Sequence, residues 1–214
     1  MGFGEFLIKR ADDMLELGLA HAAVVAAAVL ISTVLGVGLG ILTYQHERAR
    51  EAVLAVTGSF LTIPSFALFI LLLGPLGLGW SPVLFALVLY GLMPIVRNTI
   101  TGLREVDPAI VESAKGMGYN RRQRLLRIEL PLAWPVILTG VRVTSLILLG
   151  IAAIGAIVNG PGYGELIFTG LARVGTPVAL SMVLAGTVGV MALAVLFDIA
   201  FYAVKRLTTS RGIR

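Results

Sequence analysis

Arg142 and Asp198 are ionisable residues set well inside stretches that are otherwise apolar enough to dissolve in lipid. Such a residue is a candidate functional group, because an ion in the bilayer is costly unless it meets a partner or a water-filled cavity. Arg142 could hold a carboxylate, either of a bound ligand or of Asp198. For Asp198 the chemistry is pairing with a basic neighbour such as Arg97, Arg142 or Lys205. Little else in the chain could react. Two histidines and no cysteine offer neither a metal-ligand cluster nor a thiol nucleophile, and no nucleophile–base pair stands out. His21, near the outer end of the first apolar stretch, is expected at the membrane interface. No G-x-x-x-x-G-K-[ST] occurs, so the loop that cradles ATP phosphates is missing. "GVGLG" at 36–40 and "GPGYG" at 160–164 do not replace it. In the first of these, Gly36 and Gly40 read as a close helix-packing face. The chain is not expected to be an enzyme, and no cofactor, metal or nucleic acid is expected on it.

The elements that carry these residues must be membrane helices. Of 214 residues, 57% are hydrophobic and 14% charged, with a mean hydropathy of +0.95; a soluble domain carries about 25% charged residues. About twenty apolar residues cross a bilayer, and on that scale five spans are read at 17–43, 52–73, 83–97 (extensible to 103), 132–158 and 177–204. Backbone groups in lipid must be satisfied within the segment, so the spans are helices. Pro64 and Pro94 fall inside the second and third spans and should kink them. The carbonyls they free would be met by Thr62, Ser65, Asn98 or water, which makes Ser65, Tyr90 and Asn98 candidates for a translocation pathway together with Arg142. The 159–176 segment is too short to span and is placed as a surface or re-entrant piece. Residues 1–16 mix Lys9 and Arg10 with four acids, and the apolar run behind them is too long for a cleaved signal. The reading is a single all-α membrane domain over residues 1–214.

Thirteen of the seventeen basic residues fall after the first span, after the third and in the tail. Cytoplasmic loops collect Lys and Arg, so these three segments face inward and the N-terminus outward. The largest of them, 104–131, contains "ESAKGMGYNRRQRLLRIELP". A mere orientation signal explains Arg121, Arg122 and Arg124, but it does not explain the rest. Asp107 and Pro108 can start a short helix, and Gly116 and Gly118 can end it. Asn120 can cap a second helix that Pro131 stops. Two helices on a glycine elbow make a shaped knob.

Glu112-Ser113-Ala114, Gly118, Ile128 and Leu130-Pro131 resemble, at matching spacing, the E-A-A-x3-G-x9-I-x-L-P loop of permeases of ATP-binding-cassette importers. Only Ser113 departs from the pattern, where alanine is expected. The resemblance implies the MetI-like permease fold and a coupling loop at Glu112, Ser113, Ala114, Gly116, Gly118, Ile128, Leu130 and Pro131. That loop would dock on ATPase subunits, with small Ala114 and Gly118 permitting close approach. It further implies two ATP-binding subunits holding ATP and Mg, a second permease copy (identical or paralogous), an extracytoplasmic binding protein, membrane lipid around the spans, and a bacterial or archaeal cell membrane. "TIPSFAL" (62–68), "LYGLMPIVRNTITGL" (89–103), "VDPAIVESAKGMG" (106–118) and "ELPLAWPVILTGVR" (129–142) are similar to permeases for osmoprotectants such as glycine betaine, carnitine and choline. A methionine or other amino-acid importer is the alternative cargo. A secondary transporter or channel is remote, because no inverted repeat is visible.

Overall fold

The computed structural model describes residues 2–209, so Arg211 and Arg214 of the basic tail lie outside it. The regular elements among these residues are helical. A short α1 (Phe3–Lys9) leads into α2 (Ala11–Thr43), α3 (Glu47–Thr62), α4 (Ser65–Leu76) and α5 (Trp80–Arg104). Then come α6 (Pro108–Gly116), α7 (Arg121–Arg124), a π turn over Leu125–Glu129 and α8 (Leu130–Ile154). A 3-10 turn at Gly155–Val158 precedes α9 (Gly164–Ala172) and α10 (Ala179–Thr208). Four helical stretches are long and apolar enough to cross a bilayer, and the α3–α4 pair, bent by 97°, supplies a fifth if it counts as one span.

Small residues let the central helices touch. On α2, Ser32, Gly36 and Gly40 lie four residues apart on one face. A methyl group at Gly36 would sit 2.8 Å from Ile95 Cγ2, and one at Gly40 would sit 2.5 Å from Thr99 Cγ2. Gly91 on α5 returns the arrangement against Ser32, whose hydroxyl donates to the Val88 carbonyl at 3.2 Å. The expected glycine face is therefore the α2–α5 contact. On the other side of α5, Gly140 of α8 lies against Asn98 and Gly102 lies against Ala133. The core of α2, α5 and α8 is filled by Val24, Val25, Phe69, Leu87, Leu148 and Leu149.

The two intraspan prolines behave differently. At Pro64 the helix breaks rather than kinks: Ile63 and Pro64 are extended, with ψ of 125° and 130°. Steric clash drives the residue before proline out of the helical region. The Ile63 carbonyl accepts a 2.9 Å bond from the Tyr90 hydroxyl. At Pro94, α5 continues unbroken, and the Asn98 side chain donates to the Pro94 carbonyl at 2.8 Å.

Two expectations need correction. His21 is not interfacial but fully buried, because the 159–163 turn folds over it. Gly162, at φ +112°, lies against the imidazole, the Tyr163 ring centroid is 6.0 Å away, and Nε2 lies 3.1 Å from the Leu149 carbonyl. Pro131 does not stop the second loop helix, since α7, the π turn and α8 form one continuous 38-residue helix running to Val158. A π turn pairs i with i+5 and leaves room that a proline ring can use early in the helix that follows.

Beyond the turn, α9 folds back on the outer half of α10. Gly186 backs onto Ile167, and Phe6 of α1 is buried with Leu166, Met182 and Ala185. The basic segments meet at the other end. Tyr44, at the end of α2, bonds Glu129, and Trp134 donates to Thr208 at 2.8 Å near the end of α10. This convergence is what the charge distribution demands.

Candidate functional site

The 104–131 loop takes its shape from local bonds. Asp107 Oδ1 accepts from the Ala109 amide at 2.8 Å, with Pro108 in the first turn of α6. At the other end of α6, the Gly118 amide bonds the Lys115 carbonyl at 2.9 Å and the Tyr119 amide bonds the Ala114 carbonyl at 3.1 Å. This double closure requires a left-handed residue between them, and Gly118 has φ +82°. Asn120 and Gln123 then exchange side-chain and backbone bonds, both at 2.9 Å, as a capping box at the start of α7. The elbow and its two starts were readable from residue types alone.

The eight residues expected to couple do not share one role. Ala114 is completely buried, so it serves the packing of the elbow and cannot itself admit a partner; this corrects the expectation of close approach there. Glu112, Ser113, Gly116 and Gly118 are exposed. Beside Gly116 and Gly118, no atom of the described residues lies within 4 Å of where a side chain would begin. Glu112 is held below the usual carboxylate range by the Lys115 ammonium, bonded at 2.6 Å. As an exposed helical pair this contributes little to stability. Ile128 and Leu130 are half-buried at the join with α8, and Pro131 is exposed. Around the elbow Ile110, Met117 and Leu126 stand out in solvent, at 43%, 68% and 52% exposure. Apolar side chains displayed with Arg121 and Arg122 on a knob this small form a surface suited to a protein partner.

Sequence reasoning missed two parts of this site. Arg124 is not only an orientation charge: Nη1 donates to the Tyr119 carbonyl at 3.2 Å and braces the elbow. Glu129, the unspecified position between Ile128 and Leu130, is buried and accepts a 2.7 Å bond from the Tyr44 hydroxyl. Burial and the neighbouring carboxylate push the Tyr44 phenol up to about 12. The donor proton stays in place until the pH rises well beyond 10. The bond ties the cytoplasmic end of α2 to the helix that runs from the knob into the membrane. Only a tyrosine just past the end of a span hinted at it. Tyr44→Phe should leave a buried carboxylate short of a donor, a loss of about 1–3 kcal/mol. The expected result is a lower melting temperature of the purified protein, with unchanged membrane insertion.

Of the four pathway candidates, Tyr90 is buried and committed to Ile63, and Asn98 is committed to Pro94 and covered by Gly140. Ser65 is half-buried at the first turn of α4. Arg142 bonds Asp198 through Nε and Oδ1 at 2.6 Å.

Residues 32–210 match the family described as the binding-protein-dependent transport system inner membrane component. The chain belongs to this family. It is accordingly a multi-pass membrane protein of the inner-membrane transport type. It is 35% identical to the osmoprotectant import permease protein OsmW of Salmonella typhimurium, over 98% of each chain. It is 38% identical to the glycine betaine/carnitine/choline transport system permease protein OpuCD of Bacillus subtilis, over 87% of this chain and 80% of that one. The fold matches a chain of the MetNI methionine ABC transporter in its inward-facing conformation, with a TM-score of 0.81 at 19% identity, covering 92% and 96% of the two chains. At that identity the likeness concerns the fold alone.

Proposed function

We propose that this chain is the permease subunit of an ATP-binding-cassette importer for osmoprotectants of the quaternary-ammonium type, such as glycine betaine, carnitine or choline. Two permeases form the path, and each engages one ATPase subunit through the knob of α6 and α7. ATP and Mg belong to those ATPase subunits, and an extracytoplasmic binding protein delivers the substrate. The observation that carries the mechanical part is the unbroken helix from Arg121 to Val158. A push on the knob is delivered straight into the membrane core, and the Tyr44–Glu129 bond spreads it to α2. The substrate class is supported by relatives named for osmoprotectants, glycine betaine, carnitine and choline at 30–39% identity. The methionine alternative has a fold likeness on its side and nothing more.

The test is reconstitution of the permease with its ATPase and binding protein in liposomes. Labelled glycine betaine, carnitine and choline should enter in an ATP-dependent manner, and labelled methionine should not. Methionine uptake without betaine-type uptake would reverse the assignment of cargo.

A further inference from the structure

The Arg142–Asp198 pair has a setting that its pairing alone does not explain. Arg142 lies twelve residues into α8, and Asp198 lies ten residues before the end of α10. Counted from the ends of the apolar stretches at 132 and 204, the two lie ten and six residues in, about 15 Å and 9 Å of helix. Yet the side chains are 49% and 40% exposed. An ion pair this deep and this open is costly against lipid tails, and such groups face protein or a water-filled cavity. The large apolar groove, about 750 Å³ between α2 and α10, has neither partner in its lining, which is built of residues such as Leu19, Leu30 and Phe197; it suits lipid.

Resting on the permease reading above, we propose that the pair is a contact site for the zwitterionic substrates of that set, glycine betaine and carnitine, on a face of α8 and α10 that lines the aqueous path. The bond occupies Nε and Oδ1, and the guanidinium has further donors in the fork that suits a carboxylate. A quaternary-ammonium carboxylate brings one charge for each partner, its carboxylate to Arg142 and its ammonium to Asp198. Exchange of the pair for the substrate therefore leaves no charge unmatched, which suits a site that must release its ligand. Tyr202, one helical turn beyond Asp198 and 66% exposed, adds an aromatic face on the same side of α10, and such faces attract cations.

The chain contains no cysteine, so in the assembled complex any label found on this subunit reports the single cysteine introduced. Leu146→Cys, one turn beyond Arg142, should react with a charged, water-soluble methanethiosulfonate, and glycine betaine should protect it. Leu30→Cys, in the apolar groove, should not react. The double variant Arg142→Gln/Asp198→Asn keeps a hydrogen-bonding pair without charge. It should retain membrane abundance and ATPase co-purification while glycine betaine uptake falls about tenfold, the loss of one or two charge-assisted bonds. Uptake within about twofold of wild type would make the pair structural and overturn the proposal. If the double variant fails to assemble, the labelling decides: an unreactive Leu146→Cys overturns the site. A wild-type complex that takes up no glycine betaine would instead overturn the cargo assignment, and this site's ligand with it.

Discussion

Gly118→Val should leave the permease in the membrane at normal abundance, yet strip it of its ATPase and abolish uptake. Gly118 holds φ +82°, where a side chain carries a penalty of about 1–2 kcal/mol and a β-branched one is a genuine outlier. Among the described residues no atom lies within 4 Å of where the new Cβ would sit. The damage comes through the backbone: the bonds from Gly118 and Tyr119 to the end of α6 loosen and the knob loses its shape. A cost of this size alone would weaken association by roughly tenfold, and a clash in the partner's groove would deepen it. Gly116→Ala separates the two causes. Gly116 is helical with open space beside it, so alanine there should be harmless or stabilising by about 0.5–1 kcal/mol within this chain. Weaker ATPase co-purification from Gly116→Ala would therefore report the partner's surface directly.

A second substitution should act earlier, on folding. Gly40→Leu places a side chain where even a methyl carbon lies 2.5 Å from Thr99, at the contact that holds α2 on α5. Overpacking typically costs about 1–3 kcal/mol, and backbones this close leave little room to relax. Membrane abundance should fall severalfold and uptake should fall with it. Gly38→Leu, two residues away and facing open space, should do neither. Equal loss from both would mean that the glycine face is not the helix contact.

What could be read in advance were the features set by neighbours in the chain. Asp107, Pro108, Gly118 and Asn120 each act on residues within five positions, so residue type and spacing suffice. The Gly36–Gly40 face was likewise visible, because its spacing is that of one helix side. What escaped depends on distant partners. His21 is buried by a turn some 140 residues away, and Glu129 is bonded by a tyrosine 85 residues earlier. Pro64 and Pro94 look alike in sequence, but one breaks a helix and leaves the Ile63 carbonyl to the Tyr90 hydroxyl, while the other stays within a helix and its own carbonyl takes a bond from the Asn98 side chain. The helix α1, packed through Phe6 on α9 and α10, also went unread, since seven residues carry too little periodicity.

The central claim is that the α6–α7 knob transmits ATP-driven motion, and its most direct measurement uses the absence of native cysteine. Met117 stands 68% exposed at the tip of α6, and Leu78 stands 61% exposed at the opposite end of the molecule. Met117→Cys, alkylated with a maleimide that carries a benzophenone, should photo-cross-link to the ATPase subunit in membranes, with a yield that changes on addition of nucleotide. Leu78→Cys should give no such product. An ATPase adduct from Leu78→Cys, or none from Met117→Cys in a complex that still transports, would contradict the account.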